Sequence, residues 1–306
     1  MKKILITGGT GFIGSALITE LQKQPCDILV YDNLSFGNRQ FVRLPEDRFV
    51  VGDLLDRDRL LATVQAFQPD QIVHLAAIHF IPYCNQHPFD SANINIKGTM
   101  NLLEAASALP KLELVVFAST MAIYPICDHA VAETHLPGPL DIYGLSKLTG
   151  EHLMRDFHLR TGKPALVLRF SNAFGPNETN PHIIPEIARQ VNAGQRTIQL
   201  GNLAPKRDFI HTSDMAVAMR LFLERFRQGH EIFNLARGIE YSIQEVVDAF
   251  SRQLGVPVVV EVEAARVRKV ERMHLLADIT KLKAFLQWEP QVSLDEGIRT
   301  LIEKPV

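Results

Sequence analysis

The sequence predicts an α/β protein, in which a doubly wound parallel sheet carries a smaller mixed α/β lobe built from the C-terminal half. Three observations predict it. Short continuous apolar runs alternate with segments of helical periodicity through the first half, a glycine-rich turn joins the first run to the first helix, and the alternation weakens beyond about Ser171. A strand buried on both faces reads as an unbroken apolar run. Helices between such strands imply parallel pairing covered on both sides.

The elements follow in order. Residues 3–7 form a first apolar strand, and residues 12–23 place Ile13, Leu17, Ile18 and Leu21 at helical spacing. Strands are expected at 28–32, 49–52 and 71–75, with a helix at 57–67. One long helix is expected over 88–109, then a strand at 112–118, a helix at 141–161 and a strand at 165–170. Pro176, Pro181 and Pro185, interleaved with Asn172, Asn177 and Asn180, mark a loop-rich stretch. Further helices are expected near 212–227 and 243–254. The expected division is a large domain over residues 1–170 and a lobe over 171–306, the latter discontinuous.

Composition excludes several classes. The 306 residues are 46% hydrophobic and 22% charged, enough for a sizeable core. A formal net charge of −2 offers no global basic excess, so neither nucleic acid nor an anionic membrane is expected as a partner. Cys26, Cys84 and Cys127 are too few and odd in number for a disulfide framework, and fit a reducing cytoplasm. Cys84 and His87 lack a second ligand pair at zinc spacing, so no metal is expected. The apolar run after Met1-Lys2-Lys3 stops at Thr7-Gly8-Gly9, too short for a signal peptide, and no segment approaches the roughly 20 apolar residues of a membrane span.

Thr7-Gly8-Gly9-Thr10-Gly11-Phe12-Ile13-Gly14 sits between the first strand and the first helix. There Gly8 suits a tight turn, Gly11 a close approach of backbone to pyrophosphate, and Gly14 close helix–strand packing. The helix N-terminus adds free N–H groups and a positive dipole end. This is a Rossmann-like dinucleotide signature. Asp32 ends the second strand, where a carboxylate accepts hydrogen bonds from an adenosine ribose and repels a 2′-phosphate, which favours NAD over NADP. An aspartate there also serves as a cap or turn residue. Asp53, in Val51-Gly52-Asp53-Leu54, stands either at the adenine edge or in a turn.

Tyr143-Gly144-Leu145-Ser146-Lys147 puts a phenol and an ammonium four residues apart, on one helical face. The spacing alone is common by chance; downstream of the glycine loop it gains meaning. A tyrosine with a pKa near 10 becomes a usable base where an ammonium and an oxidised nicotinamide favour the phenolate. Thr120, at the end of the apolar strand, can donate to a developing alkoxide or ketone. Thr120, Tyr143 and Lys147 are therefore the expected catalytic set.

With these motifs the chain resembles the extended short-chain dehydrogenase/reductases, among them the nucleotide-sugar epimerases and dehydratases, and most of all the UDP-glucose 4-epimerase type. The resemblance runs through His74-Leu75-Ala76-Ala77, Asn93–Thr99, Tyr143–Lys147, Arg169-Phe170-Ser171-Asn172, Arg207-Asp208-Phe209-Ile210-His211 and Ala277-Asp278-Ile279. It implies that Asn33, Leu54, Leu75, Ala76, Ala77, Asn95, Ala118, Ser119 and Phe170 border NAD alongside Phe12 and Ile13. It implies that Asn172, Arg207 and Arg268 hold a substrate diphosphate, with Ile183, Ile198 and Leu200 flanking the nucleotide, Glu271 meeting its ribose, and His79 near the sugar. An arginine fork suits a diphosphate. Arg207 can equally pair with Asp208, and Arg268 can be a solvated charge. Val270 stands where the family has glycine, and Leu275 where it tunes sugar size. A homodimer through residues 88–109 and 141–161 is also implied.

Met121 and Ala122 follow Thr120, where the resembling dehydratases carry an Asp-Glu pair. Those side chains cannot move protons. The expected reaction is therefore NAD-dependent epimerisation of a nucleotide-activated sugar at C4 through a 4-keto sugar. The alternatives are a nucleotide-sugar 4-ketoreductase, a 4,6-dehydratase, and a dinucleotide-binding regulatory protein without catalysis.

Overall fold

The computed structural model describes residues 1–263, 266 and 272–303. The strands are β1 (Lys2–Thr7), β2 (Cys26–Asp32), β3 (Phe49–Val51), β4 (Gln71–His74), β5 (Leu114–Thr120), β6 (Ala165–Phe170), β7 (Asn172–Phe174), β8 (Thr197–Leu200), β9 (Lys206–His211), β10 (His230–Leu235), β11 (Glu240–Ser242) and β12 (Val259–Val262). The α-helices are α1 (Phe12–Leu21), α2 (Arg57–Phe67), α3 (Ile81–Gln86), α4 (Pro88–Ala92), α5 (Gly98–Ser107), α6 (Ile142–Thr161), α7 (Ile183–Asn192), α8 (Thr212–Arg225), α9 (Ile243–Leu254), α10 (Thr280–Leu286) and α11 (Leu294–Glu303). Among the described residues no helix is long and apolar enough to cross a membrane.

Seven strands form one parallel sheet in the order β10-β6-β5-β4-β1-β2-β3, with Ile4 opposite both Ile28 and Gln71. Alternation along each strand explains the unbroken apolar runs. Ile4, Ile6, Val73, Val116 and Leu166 point to one face, under α1, α8 and α10. Leu5, Ile72, Val115, Phe117 and Val167 point to the other, under α2, α5 and α6. The chain winds outward from β1 to β3, then jumps back to β4 on the other side of β1. That reversal leaves a crevice at the C-terminal strand ends.

The residues after Ser171 do not form one continuous unit. Helix α8 packs on α1, and β10 joins the large sheet with His230 opposite Ala165. Strands β7, β9 and β11 form a small sheet of their own, and β8 pairs with β12. Helices α7, α9 and α11 cover a separate core around Phe174, Ile187, Phe209, Val246 and Phe250.

The expected helix over 88–109 runs without a break from Pro88 to Ser107, as α4, a π-helical turn over Asn93–Lys97, and α5. The wider turn faces inward through Asn95, which needs room to bridge two elements. Its Oδ1 accepts from the Ile78 N–H at 2.8 Å, and its Nδ2 donates to Ile78 O at 2.9 Å and Ser146 Oγ at 3.0 Å. Such turns recur where a side chain must be aimed.

Candidate active site

A cleft of about 1220 Å³ opens at the crevice, with the small lobe as its far wall. Its near wall is the β1–α1 turn. Gly8 has φ +72°, and a Cβ there would lie 2.6 Å from the Ala76 nitrogen. At Gly14 a Cβ would lie 2.4 Å from Gly8 O, so helix and turn close only without one. Gly11, Phe12 and Ile13 line the cleft, and the α1 N-terminus has no side-chain cap. Its first N–H groups therefore remain available to an anion. These features fit a bound dinucleotide.

Asp32 ties this turn to β2. Its Oδ2 accepts from the Thr10 N–H at 3.0 Å and its Oδ1 from the Leu34 N–H at 2.9 Å, while the residue still borders the cleft. Asp53 closes a turn and also borders the cleft. Its Oδ1 accepts from the Leu55 N–H at 2.8 Å, closing a turn, and its Oδ2 accepts from Asn33 Nδ2 at 2.9 Å beside the cleft. Leu54, Leu75, Ala76, Ala77, Ala118, Ser119 and Phe170 also line the cleft. Asn95 does not. Its amide is spent on Ile78, whose neighbours Ala77 and His79 do. His74, in the same segment, is structural. Its ring bridges Thr7 Oγ1 at 2.7 Å and Thr99 Oγ1 at 3.0 Å, and burial lowers its pKa to about 3.

Helix α6 carries the catalytic candidates. Asp141 starts it by accepting from the Gly144 N–H at 2.8 Å. That cap sets Tyr143 in the first turn and Lys147 one turn later, both on the cleft. The Tyr143 ring is partly open to the cleft, but its hydroxyl lies deep and shares a hydrogen bond with the Thr120 side chain. Burial pushes the phenol well above its ordinary pKa, against the downward pull of Thr120. Lys147 does not supply the expected correction. Desolvation lowers its own pKa to about 7, and its Nζ donates to Ala118 O at 2.8 Å. The protein alone therefore holds Tyr143 as a phenol, and a positive charge in the cleft is needed to favour the phenolate.

The far wall mixes cationic, polar and apolar side chains. Asn172, Ile183, Leu200, Arg207 and Leu275 line it. Arg207 Nη1 donates to Arg272 O at 2.7 Å, while the carboxylate of Asp208 points away to the N–H groups of Arg237 at 2.8 Å and Gly238 at 2.9 Å. Ile198 is corrected. It is fully buried in the lobe core, because strand alternation puts it and Leu200 inward and only Leu200 reaches the cleft. Arg268 and Glu271 lie outside the described residues.

Sequence reasoning missed Arg272, Glu178 and His182, which also line the cleft. Arg272 lines the cleft and donates to Ala122 O at 3.3 Å and Pro125 O at 3.4 Å. His79, Glu178 and His182 bring ligating atoms within 4.8 Å of one another, and Asn180 Nδ2 lies 3.1 Å from His79 Nε2. Burial lowers the pKa of His79 to about 4 and raises that of Glu178. The proline- and asparagine-rich stretch signalled a loop, but nothing local in it pointed to residue 79.

Together the site offers a pyrophosphate cradle, a phenol–hydroxyl pair over a buried amine, and an arginine wall. Known proteins agree with that chemistry. Residues 4–236 match the model of the NAD dependent epimerase/dehydratase family. A putative UDP-glucose 4-epimerase of Methanocaldococcus jannaschii is 31% identical over 98% of this chain and 97% of its own. The UDP-glucose 4-epimerase of Brucella ovis, solved in complex with NAD, superposes with a TM-score of 0.90 at 29% identity, covering 99% of this chain and 98% of its own. That of Thermotoga maritima, solved with UDP-glucose, gives 0.90 at 27% identity over 98% and 97%. The chain belongs to the NAD dependent epimerase/dehydratase family.

Proposed function

We propose that this protein epimerises a nucleotide-activated sugar at C4, through a transient 4-keto sugar, with NAD retained from one turnover to the next. The observation that carries the reading is the Tyr143–Thr120 hydroxyl pair set between a glycine cradle and an arginine wall in one cleft. NAD, when bound, supplies the hydride acceptor and then the hydride donor. Gly8, Gly11, Gly14 and Asp32 would hold it, and Tyr143 would ionise more readily beside a positive ring. Tyr143 takes the proton of the C4 hydroxyl and returns it after the keto sugar has turned. Thr120 donates to the oxygen as its charge develops. Lys147, buried at about neutral pKa, positions cofactor and phenol by hydrogen bonding.

Arg207 and Arg272 meet the diphosphate, a local charge that the net −2 of the chain does not provide. Met121 is buried and Ala122 is apolar, so the two positions after Thr120 hold no group for elimination. Phe89, Met100, Leu145 and Leu159 are exposed on α4, α5 and α6, which supports a homodimer through that face. The free thiols Cys26, Cys84 and Cys127 fit a reducing cytoplasm.

Proton NMR of a nucleotide-sugar panel, with NAD and no reductant, tests the reading. An epimer should accumulate to equilibrium without net cofactor reduction. Turnover only in a second sample supplied with reduced cofactor, with stoichiometric consumption of it, would identify a ketoreductase instead, and no turnover of any sugar in either sample would leave a binding protein.

A further inference from the structure

The chain beyond Ala122 leaves the cleft and makes a loop over residues 124–138 that is pinned at several points. Val131 pairs with Ala277 in a parallel bridge, and its carbonyl accepts from the Asp278 N–H at 3.0 Å and Asn234 Nδ2 at 2.8 Å. The Glu133 carbonyl accepts from Arg169 Nη1 at 3.1 Å, and the Gly138 N–H donates to Ile123 O at 2.8 Å. On this frame Cys127, His129 and His135 bring one sulfur and two imidazole nitrogens within 4.8 Å of one another. None of the three lines the cleft.

The spacing has a chemical meaning. Cys127 Sγ lies 3.5 Å from His135 Nε2. An ion with a sulfur ligand at about 2.3 Å and a nitrogen ligand at about 2.0 Å, at a tetrahedral angle, separates them by about 3.5 Å. Behind His129, Asp128 Oδ1 lies 3.0 Å from Nδ1, the carboxylate–imidazole contact that orients a ligating histidine. The Tyr124 ring meets His135 edge-on at 6.4 Å and limits its rotation. Three protein donors leave a fourth position for water. A thiolate with two imidazoles selects zinc, cobalt or nickel over magnesium and calcium.

We propose that Cys127, His129 and His135 bind one divalent transition-metal ion of the zinc class, on the outer surface of the loop that follows the catalytic strand. The ion would tie down the segment whose Pro125 carbonyl accepts from Arg272, a residue of the cleft wall.

The test is cobalt titration of the full chain with its NAD, under reducing and oxygen-free conditions after chelator treatment. One equivalent should bind with a near-ultraviolet thiolate-to-cobalt charge-transfer band, and zinc but not magnesium should displace it. Cys127→Ser should abolish the band. His135→Ala should weaken cobalt binding roughly tenfold or more, since losing a direct ligand costs at least as much as losing an outer partner. Should Cys127→Ser fail to fold, zinc should slow alkylation of wild-type Cys127, mapped by mass spectrometry, by at least about tenfold, again on the scale of lost ligand contacts. Absence of the band, a band that survives Cys127→Ser, binding lost instead in His79→Ala, or an unchanged alkylation rate would each overturn the proposal.

Discussion

Replacing Glu151 by alanine is expected to cost about 3–5 kcal/mol of stability, because it strands a buried cation. Glu151 lies on α6 behind the catalytic strand. Its Oε1 accepts from Ser119 Oγ at 2.5 Å and Arg169 Nε at 2.9 Å, and its Oε2 accepts from Arg169 Nη2 at 2.7 Å. The side chains of Arg169 and Glu151 are only 3% and 4% exposed, so water cannot replace the lost partner. The ion pair of Arg160 with Asp156 on the same helix is the control. Those side chains are 58% and 54% exposed, and Asp156→Ala should cost under about 1 kcal/mol. Urea unfolding followed by circular dichroism reads both. The double variant Glu151→Leu, Arg169→Met should recover most of the loss, since no charge is left unpaired. A Glu151→Ala cost no larger than that of Asp156→Ala would refute the reasoning.

Three further outcomes follow from the site. Gly14→Ala should weaken NAD binding at least tenfold, about 1.4 kcal/mol, because its Cβ would lie 2.4 Å from Gly8 O; fluorescence titration with NAD checks this. Arg207→Ala should weaken UDP binding about tenfold or more in calorimetry, at roughly 1.5–3 kcal/mol per charge-assisted contact, with NAD affinity nearly unchanged. Lys147 supplies a pH dependence. Its folded pKa of about 7 lies below the roughly 10.4 of an unfolded lysine, so between those values unfolding takes up a proton and stability rises with pH. Below about pH 7 the folded amine is protonated too, and the dependence flattens. The stability advantage of Lys147→Met over wild type in NAD-free protein should therefore shrink between pH 7 and 10, by up to about 1.4 kcal/mol per unit; denaturant melts across that range measure it, and a constant difference would oppose the assignment.

What the sequence made legible was local. Strands apolar on both faces, the glycine turn, and the α6 segment from its Asp141 cap through Tyr143 and Lys147 each carry their signal within a few residues. What it hid depended on distant partners. Asn95 has the look of a ligand contact, but it is consumed by Ile78, which a π-helical turn brings within reach. Ile198 has the right strand but the wrong depth, and depth is set by α7 and α9. His79 meets Glu178 and His182 across about 100 residues of chain, a juxtaposition no periodicity encodes. The expectation of no metal considered Cys84 and His87. The Cys127, His129 and His135 spacing matches no common zinc pattern and gains meaning only when the pinned loop folds it together.

Under the proposed C4 epimerisation, hydride would leave C4 and return to C4 within the one cleft. The measurement that tests it most directly follows a nucleotide sugar deuterated at C4, incubated in ordinary water with the enzyme and sub-stoichiometric NAD, and read by NMR. The expected product is the C4 epimer, with deuterium still on C4 and no label in solvent. Deuterium lost to water, or recovered on another carbon such as C6 with loss of water from the sugar, would rule this out.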